Sequence, residues 1–283
     1  MQESLDQIVL NFNKDTLLLL NVCIAIIMFG VALDLKVDHF KMLFKAPKSV
    51  ILGVFSQFFL LPFVTYLLIM VVQPAPSIAL GMMLVAACPG GNVSNFYCSM
   101  SGGNVALSVS LTAISSMLSV VMTPLNFTFW ASLYEPASTL LTAVNINLIQ
   151  VIITVFIILI LPLSLGMYVS KQYPKTAKKI VGPIKKLSII IFSAFVLGAF
   201  ATNFDYFTTY ISLIIFIVLA HNALGLLAGW LVARLGKLSL EDKKSITIET
   251  GIQNSGLALV IIFEFFHGLG GMAIIAAWWG VWH

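Results

Sequence analysis

Long apolar stretches separated by short polar segments dominate the pattern of this chain. Thr16–Leu33, Val105–Trp130, Val144–Val169 and Tyr210–Val232 contain no Asp, Glu, Lys or Arg. Each meets the length of roughly 18 apolar residues that marks a helix able to span a bilayer. The same pattern predicts nine spanning helices: Thr16–Leu35, Ser49–Val72, Ser77–Met100, Asn104–Trp130, Val144–Val169, Ile184–Thr202, Tyr210–Arg234, Ser245–Phe266 and a last one from about Gly270.

Basic residues fall on alternate connections between these helices. Asp34–Lys48 holds four lysines, Ser170–Lys186 holds six, and Arg234–Lys244 holds four basic residues. The other connections hold none, so fourteen of the fifteen basic residues lie on one side of nine spans. Because Lys and Arg are enriched in cytoplasmic loops, we predict a multi-pass protein of the inner (plasma) membrane, with the N-terminus outside and the basic loops in the cytoplasm.

The last apolar segment is short for a complete span. Gly270 to His283 reaches only about 21 Å at 1.5 Å per residue, against a hydrocarbon core of about 30 Å. A chain ending there would leave a carboxylate inside the bilayer. We therefore expect the ninth helix to be truncated in this sequence.

Composition supports the same class of protein. Apolar residues make up 60% of the chain, charged residues only 9%, and the mean hydropathy is +1.04. Soluble domains carry about 25% charged residues, so we predict an all-α polytopic membrane protein forming one transmembrane domain over residues 1–283. The three cysteines lie in apolar segments without metal-ligand spacing, which favours packing roles.

Two predicted helices are interrupted by glycine and polar residues. Pro89 cannot donate a backbone hydrogen bond, and Gly90 and Gly91 beside it are poor helix formers, so the Ser77–Met100 helix must open there. Glu249–Gly256 places a carboxylate, two amides, two hydroxyls and two glycines in a second apolar run. Such breaks, one in each half of the chain, are typical of secondary transporters. An odd offset of five spans between them predicts an inverted repeat.

Glu249 is the strongest candidate for chemistry. A charged side chain at the centre of a bilayer costs about 2.5–3.5 kcal/mol on insertion scales, so an intramembrane carboxylate indicates function. No basic residue lies in the interior of a predicted span. A cation or a proton is therefore the expected counter-charge.

Other polar residues near the breaks offer further oxygen ligands. They are Ser94 and Asn95 after the first break, Ser108 and Thr112 one turn apart on the next helix, and Gln253 one turn after Glu249. Carboxylate, hydroxyl, amide and freed carbonyl oxygens suit a hard cation. For Ser108 or Thr112 alone, hydrogen bonding to the helix backbone is an equally ordinary role. His221 and Asn222 are better explained as interhelical hydrogen-bonding residues than as ligands.

These segments closely resemble the bile acid:sodium symporter family. The resemblance rests on Cys88–Asn95, Gly103–Thr112 and Glu249–Gly256, and it extends to Met28–Gly30, Gln57, His221-Asn222 and Trp282-His283. It implies a panel-plus-core fold in which two discontinuous helices cross near the membrane midplane. The panel helices would be about 16–35, 144–169 and 184–202, and the core helices would lie within about 49–130 and 210–283.

The resemblance also implies binding sites for two sodium ions. The first would use Ser94, Asn95, Ser108, Thr112 and Glu249. The second would use Gln57, Glu249 and Gln253 with the backbone carbonyls of Thr250 and Ile252. The substrate would contact Asn92, Asn254 and His283.

The leading hypothesis is sodium-coupled symport of a bile-acid-like or small carboxylate anion by alternating access. The expected partners are sodium ions, the organic anion and the lipid bilayer, and no nucleic acid. Proton coupling through Glu249 is an alternative, as is a channel or sensor with the same polar core. An enzyme is not expected, because Ser94 has no nearby basic partner and no paired acids or metal-ligand set is present.

Overall fold

The computed structural model describes residues 6, 14–33, 46–91, 93–144, 148–202 and 204–282. Within these ranges the chain is helical, and its strand pairing is limited to one isolated bridge. We number the helices α1 (Lys14–Ala32), α2 (Pro47–Val72, with a π-helical turn at Ser56–Leu60), α3 (Pro76–Ala87), α4 (Val93–Met100), α5 (Val105–Leu133), α6 (Glu135–Val144), α7 (Leu148–Val155, a π-helical turn at Phe156–Ile160, and Leu161–Gln172), α8 (Pro174–Thr202), α9 (Phe204–Leu235), α10 (Leu240–Gly251), α11 (Ser255–Phe265) and α12 (Gly270–Trp282).

Every predicted apolar segment contains helix, and both predicted breaks are present. The Ser77–Met100 segment is divided into α3 and α4, and Ser245–Phe266 is divided into α10 and α11. In the described part of the chain, four helices are long and apolar enough to cross a membrane: Pro47–Val72, Val105–Leu133, Ile149–Gln172 and Thr208–Leu235. The all-α class is therefore confirmed, whereas the count of nine spans and the inverted repeat stay predictions. One helix, α6, lies in a connection where the apolar pattern predicts no span.

Large apolar side chains cover much of the outer surface. Phe216 is 69% exposed, Phe59 53% and Ile153 51%, and many other large apolar residues are exposed on the same helices. Soluble monomers rarely expose apolar patches of this extent. This surface therefore suits a hydrocarbon environment.

Helices α3, α11 and α12 form the centre of the protein. All residues of α3 from Ser77 to Ala87 are buried, as are those of α11 from Ser255 to Phe263. These segments are apolar on every side, which is the pattern of a helix enclosed by other helices. Trp279 of α12 is completely buried beside them. The breaks thus lie deep in the fold.

Glycines allow close approach between neighbouring helices. A Cβ added at Gly166 of α7 would lie 2.7 Å from the carbonyl oxygen of Phe29 in α1. One added at Gly229 of α9 would lie 2.8 Å from the carbonyl oxygen of Ile246 in α10. Helices α1, α7 and α8 pack on one another, and α9 packs on α10.

The π-helical turn of α2 has a local cause in Pro62. Proline lacks an N–H and its ring displaces the carbonyl four residues earlier, which is that of Phe58. Asn126 of α5 donates its Nδ2 hydrogen to the Phe58 carbonyl at 2.9 Å. The freed carbonyl is therefore satisfied by a side chain, and Gln57 lies inside the widened turn.

Candidate functional site at the crossing of two broken helices

The two breaks meet and pair through their backbones. Gly90 and Gln253 form an antiparallel bridge. The Gly91 N–H donates to the Ile252 carbonyl at 2.8 Å, and the Asn254 N–H donates to the Pro89 carbonyl at 2.9 Å. The discontinuous helices therefore cross at these residues.

Glycine is required where the two broken segments approach each other most closely. A Cβ at Gly91 would lie 2.9 Å from the carbonyl oxygen of Gln253, and a Cβ at Gly90 would lie 2.7 Å from Glu249 Oε1. The Gly91 contact is with backbone, which cannot rotate away, whereas the Gly90 contact is with the end of a side chain. Gly90 and Gly91, which predicted an opened helix, therefore also allow the two segments to cross.

Carbonyls freed at the breaks are satisfied by side chains from other helices. Three such hydrogen bonds are Thr123 Oγ1 to the Ala87 carbonyl at 2.7 Å, Gln57 Nε2 to the Cys88 carbonyl at 3.1 Å, and Asn222 Nδ2 to the Gly251 carbonyl at 2.6 Å. An unpaired carbonyl in hydrocarbon costs several kcal/mol, so these donors make the irregular backbone tolerable. Asn222 therefore bonds between helices, as predicted, whereas the role of Thr123 had no sequence signal.

Glu249 lies beside the crossing with 3% of its surface exposed. Ser94 Oγ donates to its Oε2 at 2.6 Å and Ser108 Oγ donates at 2.9 Å, while Thr112 Oγ1 donates to Oε1. The hydroxyls belong to α4 and α5, and the carboxylate belongs to α10. Three helices therefore supply one oxygen cluster.

Acceptors outnumber donors in this cluster. Ser108 Oγ lies 2.9 Å from Asn95 Oδ1 as well as contacting Glu249. Thr112 Oγ1 faces Asn95 Oδ1 at 3.3 Å and the Ser108 carbonyl at 3.1 Å in addition to Glu249. Each hydroxyl has a single hydrogen and can satisfy one acceptor well. The remaining oxygen lone pairs suit a small cation.

The cluster therefore contains all five residues of the first predicted sodium site. Its oxygens belong to a carboxylate, an amide and three hydroxyls, which is the donor set that hard cations prefer. Among the described residues, no group of three His, Cys, Asp or Glu side chains could hold a metal ion.

Gln57, Thr250 and Gln253 form a second polar cluster at the crossing. Gln57 Nε2 donates to Gln253 Oε1 at 2.6 Å, and Gln253 Nε2 donates to the Thr250 carbonyl at 2.7 Å. Ser56 Oγ lies 2.9 Å from Thr250 Oγ1. Gln57 Oε1 is buried without a hydrogen-bond partner. A buried oxygen without a hydrogen-bond donor retains lone pairs that can bind a hard cation.

The remaining predicted site residues are placed less directly. Asn254 is the N-cap of α11, and its Oδ1 accepts from the Leu257 N–H at 3.0 Å. The Ile252 carbonyl accepts from Gly91 in the bridge. Asn92 and His283 lie outside the described residues, so their predicted substrate contacts are not placed.

His221 forms a buried cluster with Thr65 and Trp279. Its Nε2 lies 2.6 Å from Thr65 Oγ1, and its ring packs edge-on against Trp279 with 4.6 Å between ring centroids. It therefore joins α2, α9 and α12. This matches the prediction that His221 bonds between helices.

Comparison with known proteins decides the family. The model of the Sodium Bile acid symporter family matches residues 21–210. The chain belongs to this family. It is 34% identical to the Uncharacterized sodium-dependent transporter YocS of Bacillus subtilis over 93% of the chain and 79% of that protein. The resemblance predicted from the motifs is therefore confirmed, and the family and its named relatives are sodium-coupled transporters, not enzymes.

More distant relatives of this symporter family come from animals and plants. The chain is 27% identical to the human Ileal sodium/bile acid cotransporter over 86% of the chain and 68% of that protein. It is 27% identical to the Probable sodium/metabolite cotransporter BASS1, chloroplastic, of Arabidopsis thaliana over 87% of the chain. The chain spans 59% of the length of that plant protein. The first of these relatives is named for bile acid and the second for a metabolite as the compound transported with sodium.

Proposed function

We propose that this protein is a secondary active symporter that couples sodium entry to uptake of an organic anion. The observation that carries the proposal is the buried Glu249 carboxylate, which is surrounded by neutral hydroxyls where two broken helices cross. A buried charge contacted only by neutral groups needs a mobile counter-ion. Sodium is the ion named for its relatives.

Two ions are proposed to bind at the crossing. The first lies among Ser94, Asn95, Ser108, Thr112 and Glu249. The second lies among Gln57, Gln253 and Glu249 with the carbonyls of Thr250 and Ile252, and the unpaired Gln57 Oε1 supports it. Glu249 lies in the last turn of α10 and Gln253 in the break two residues after that helix ends, so one carboxylate would serve both ions. Each carbonyl oxygen has two lone pairs, so the Thr250 and Ile252 carbonyls can coordinate an ion while keeping their present hydrogen bonds.

The substrate is proposed to be an organic anion, either bile-acid-like or a small carboxylate. Helices α4 and α11 both begin at the crossing, and helix N-termini carry partial positive charge. Asn92, Asn254 and His283 are the proposed contacts. The relatives named for bile acid and for metabolite support this breadth of substrate.

Transport is proposed to occur by alternating access in the plasma membrane. Helices α1, α7 and α8 pack on one another and would form the panel, and the remaining helices around the crossing would form the core. The basic loops would face the cytoplasm. Each sodium ion driven inward contributes about 2.3 kcal/mol per 100 mV, which allows two ions to concentrate a monovalent anion.

Replacing sodium with potassium tests the coupling, and the thermal-unfolding measurement needs no knowledge of the substrate. At ten times its dissociation constant, an ion stabilises the folded state by about 1.4 kcal/mol per site. Two sites should therefore raise the melting temperature of the purified protein by about 5 °C. The measurement is thermal unfolding in NaCl against KCl, followed by uptake of a bile salt and a small keto acid into proteoliposomes. Equal stability and equal uptake in both salts would exclude sodium coupling, and pH-dependent uptake would then favour protons.

Gln57→Leu tests the second ion. The substitution preserves approximate volume, removes the unpaired oxygen and leaves the Glu249 hydroxyl cluster in place. We expect the Hill coefficient for sodium-dependent uptake to fall from about two toward one, because it cannot exceed the number of sites. Thr65→Val is a suitable control, since Thr65 lies on the same helix but contacts His221. An unchanged Hill coefficient in Gln57→Leu would contradict the two-ion assignment.

A further inference from the structure

Asp242 uses its carboxylate in an unusual way for its position in a helix. Ser239 is the N-cap of α10, and its Oγ accepts from the Asp242 N–H at 3.2 Å. In a capping box, the acidic side chain three residues after the N-cap returns to the N-cap N–H. Here Oδ2 instead accepts from Ser49 Oγ at 2.6 Å, and Oδ1 accepts from Asn104 Nδ2 at 2.8 Å. The carboxylate thus joins three helices.

Both partners of Asp242 lie at the beginnings of other helices. Ser49 is a buried residue in the first turn of α2. Asn104 is the N-cap of α5, and its Oδ1 accepts from the Leu107 N–H at 3.1 Å. The Asn104 N–H donates to the Glu241 carbonyl at 3.1 Å. The beginnings of α2, α5 and α10 are therefore fixed to one another.

The same three helices carry the main ligands of the proposed ion sites. Gln57 lies eight residues after Ser49, Thr112 lies eight residues after Asn104, and Glu249 lies seven residues after Asp242. Each interval is about two helical turns, or about 11 Å along the axis. Ser245, between Asp242 and Glu249, donates to the Asn104 carbonyl at 3.0 Å and extends the contact between α10 and α5 toward the site.

We propose that Asp242 is a positioning residue that sets the geometry of the sodium sites from a distance. This inference rests on the proposed function. The Asp242 junction, which we define as Asp242 with Ser49 and Asn104, holds the three helices at one end and so fixes the spacing of their ligands two turns away. A tilt of about 5° about the junction moves a ligand atom by about 1 Å at that distance. Ligand geometry must hold to about 0.5 Å for strong binding, so the junction determines sodium affinity.

Asp242→Asn tests the proposal in the full-length chain. The amide keeps the volume but removes the charge and turns one acceptor oxygen into a donor. Ser49 Oγ must then accept instead of donate, and both bonds lose their charge assistance. We expect the sodium concentration for half-maximal stabilisation and uptake to rise about tenfold, with the maximal uptake at saturating sodium within about twofold of wild type. Glu241→Gln is the matched control, because it removes an exposed charge from the same helical turn. Its half-saturating sodium concentration should equal that of wild type.

Ser49→Ala keeps the test decisive if Asp242→Asn fails to fold. It removes one hydrogen bond of the Asp242 junction and should raise the half-saturating sodium concentration about threefold. A lower maximal rate with unchanged half-saturating sodium in either variant would overturn the positioning role while leaving the proposed function intact. A wild-type protein that does not respond to sodium would instead overturn the proposed function.

Discussion

Glu249→Gln is expected to abolish sodium-stimulated transport and the stabilisation of the protein by sodium. A carboxylate and a monovalent cation about 4 Å apart attract by about 4 kcal/mol at an effective dielectric constant of 20. Since 1.4 kcal/mol is a factor of ten in affinity, the dissociation constant should rise at least about a hundredfold. The measurements are sodium titrations of the melting temperature and of uptake in proteoliposomes.

The sodium-free protein should tolerate the same substitution. Glutamine keeps an oxygen that can accept from Ser94, Ser108 or Thr112, and it removes a buried charge whose desolvation opposes folding. In potassium, the melting temperature of Glu249→Gln should equal or exceed that of wild type. Glu264→Gln is the matched control, because Glu264 is an exposed acid on α11. Retention of the sodium response in Glu249→Gln would contradict the assignment of this carboxylate.

Gly91→Ala is expected to eliminate transport by forcing the broken helices apart. The added methyl group would lie 2.9 Å from the Gln253 carbonyl oxygen, which belongs to backbone and cannot rotate away. Overpacking of this kind costs about 1–3 kcal/mol, and loss of the Gly91–Ile252 hydrogen bond adds about 1 kcal/mol. We expect a lower melting temperature in potassium, and a sodium response reduced at both sites. Thermal unfolding in the two salts measures both effects.

Gly182→Ala is the control for the glycine substitution. Gly182 lies in α8, and a Cβ added there meets no atom within 4 Å. Alanine in a helix is favoured over glycine by about 0.5–1 kcal/mol, so stability should stay equal or rise slightly. Normal transport by Gly91→Ala would show that close approach of the two breaks is not needed for function.

The positions of the breaks and the identity of the oxygen cluster could be predicted because both depend on local residue types. Pro89 with its adjacent glycines opens a helix wherever it lies, and Glu249 is anomalous in any apolar segment. Ser108 and Thr112 share a face by helical spacing alone. The structure brings these side chains and the carboxylate together. The sequence left open whether Thr112 contributes to the site or bonds to its own helix backbone. In the structure it does both, because its Oγ1 also bonds to the Ser108 carbonyl.

Features that depend on distant partners could not be predicted. The bridge between Gly90 and Gln253 joins residues far apart in the chain, and nothing local at Thr123 indicates that it bonds the Ala87 carbonyl. In sequence Asp242 is an ordinary acid in the first turn of a helix, and its bonds to Ser49 and Asn104 follow only from packing.

The π-helical turn of α2, in contrast, had a local sequence signal in Pro62, because a proline within an apolar helix must displace a carbonyl.

Equilibrium binding of radioactive sodium to the purified protein is the most direct test that the crossing binds sodium through Glu249. Wild type should bind about two ions per chain in saturable fashion, as expected for two sites sharing one carboxylate. Glu249→Gln should bind none over the same concentration range, while Glu264→Gln should match wild type. Equal saturable binding by wild type and Glu249→Gln would contradict the account.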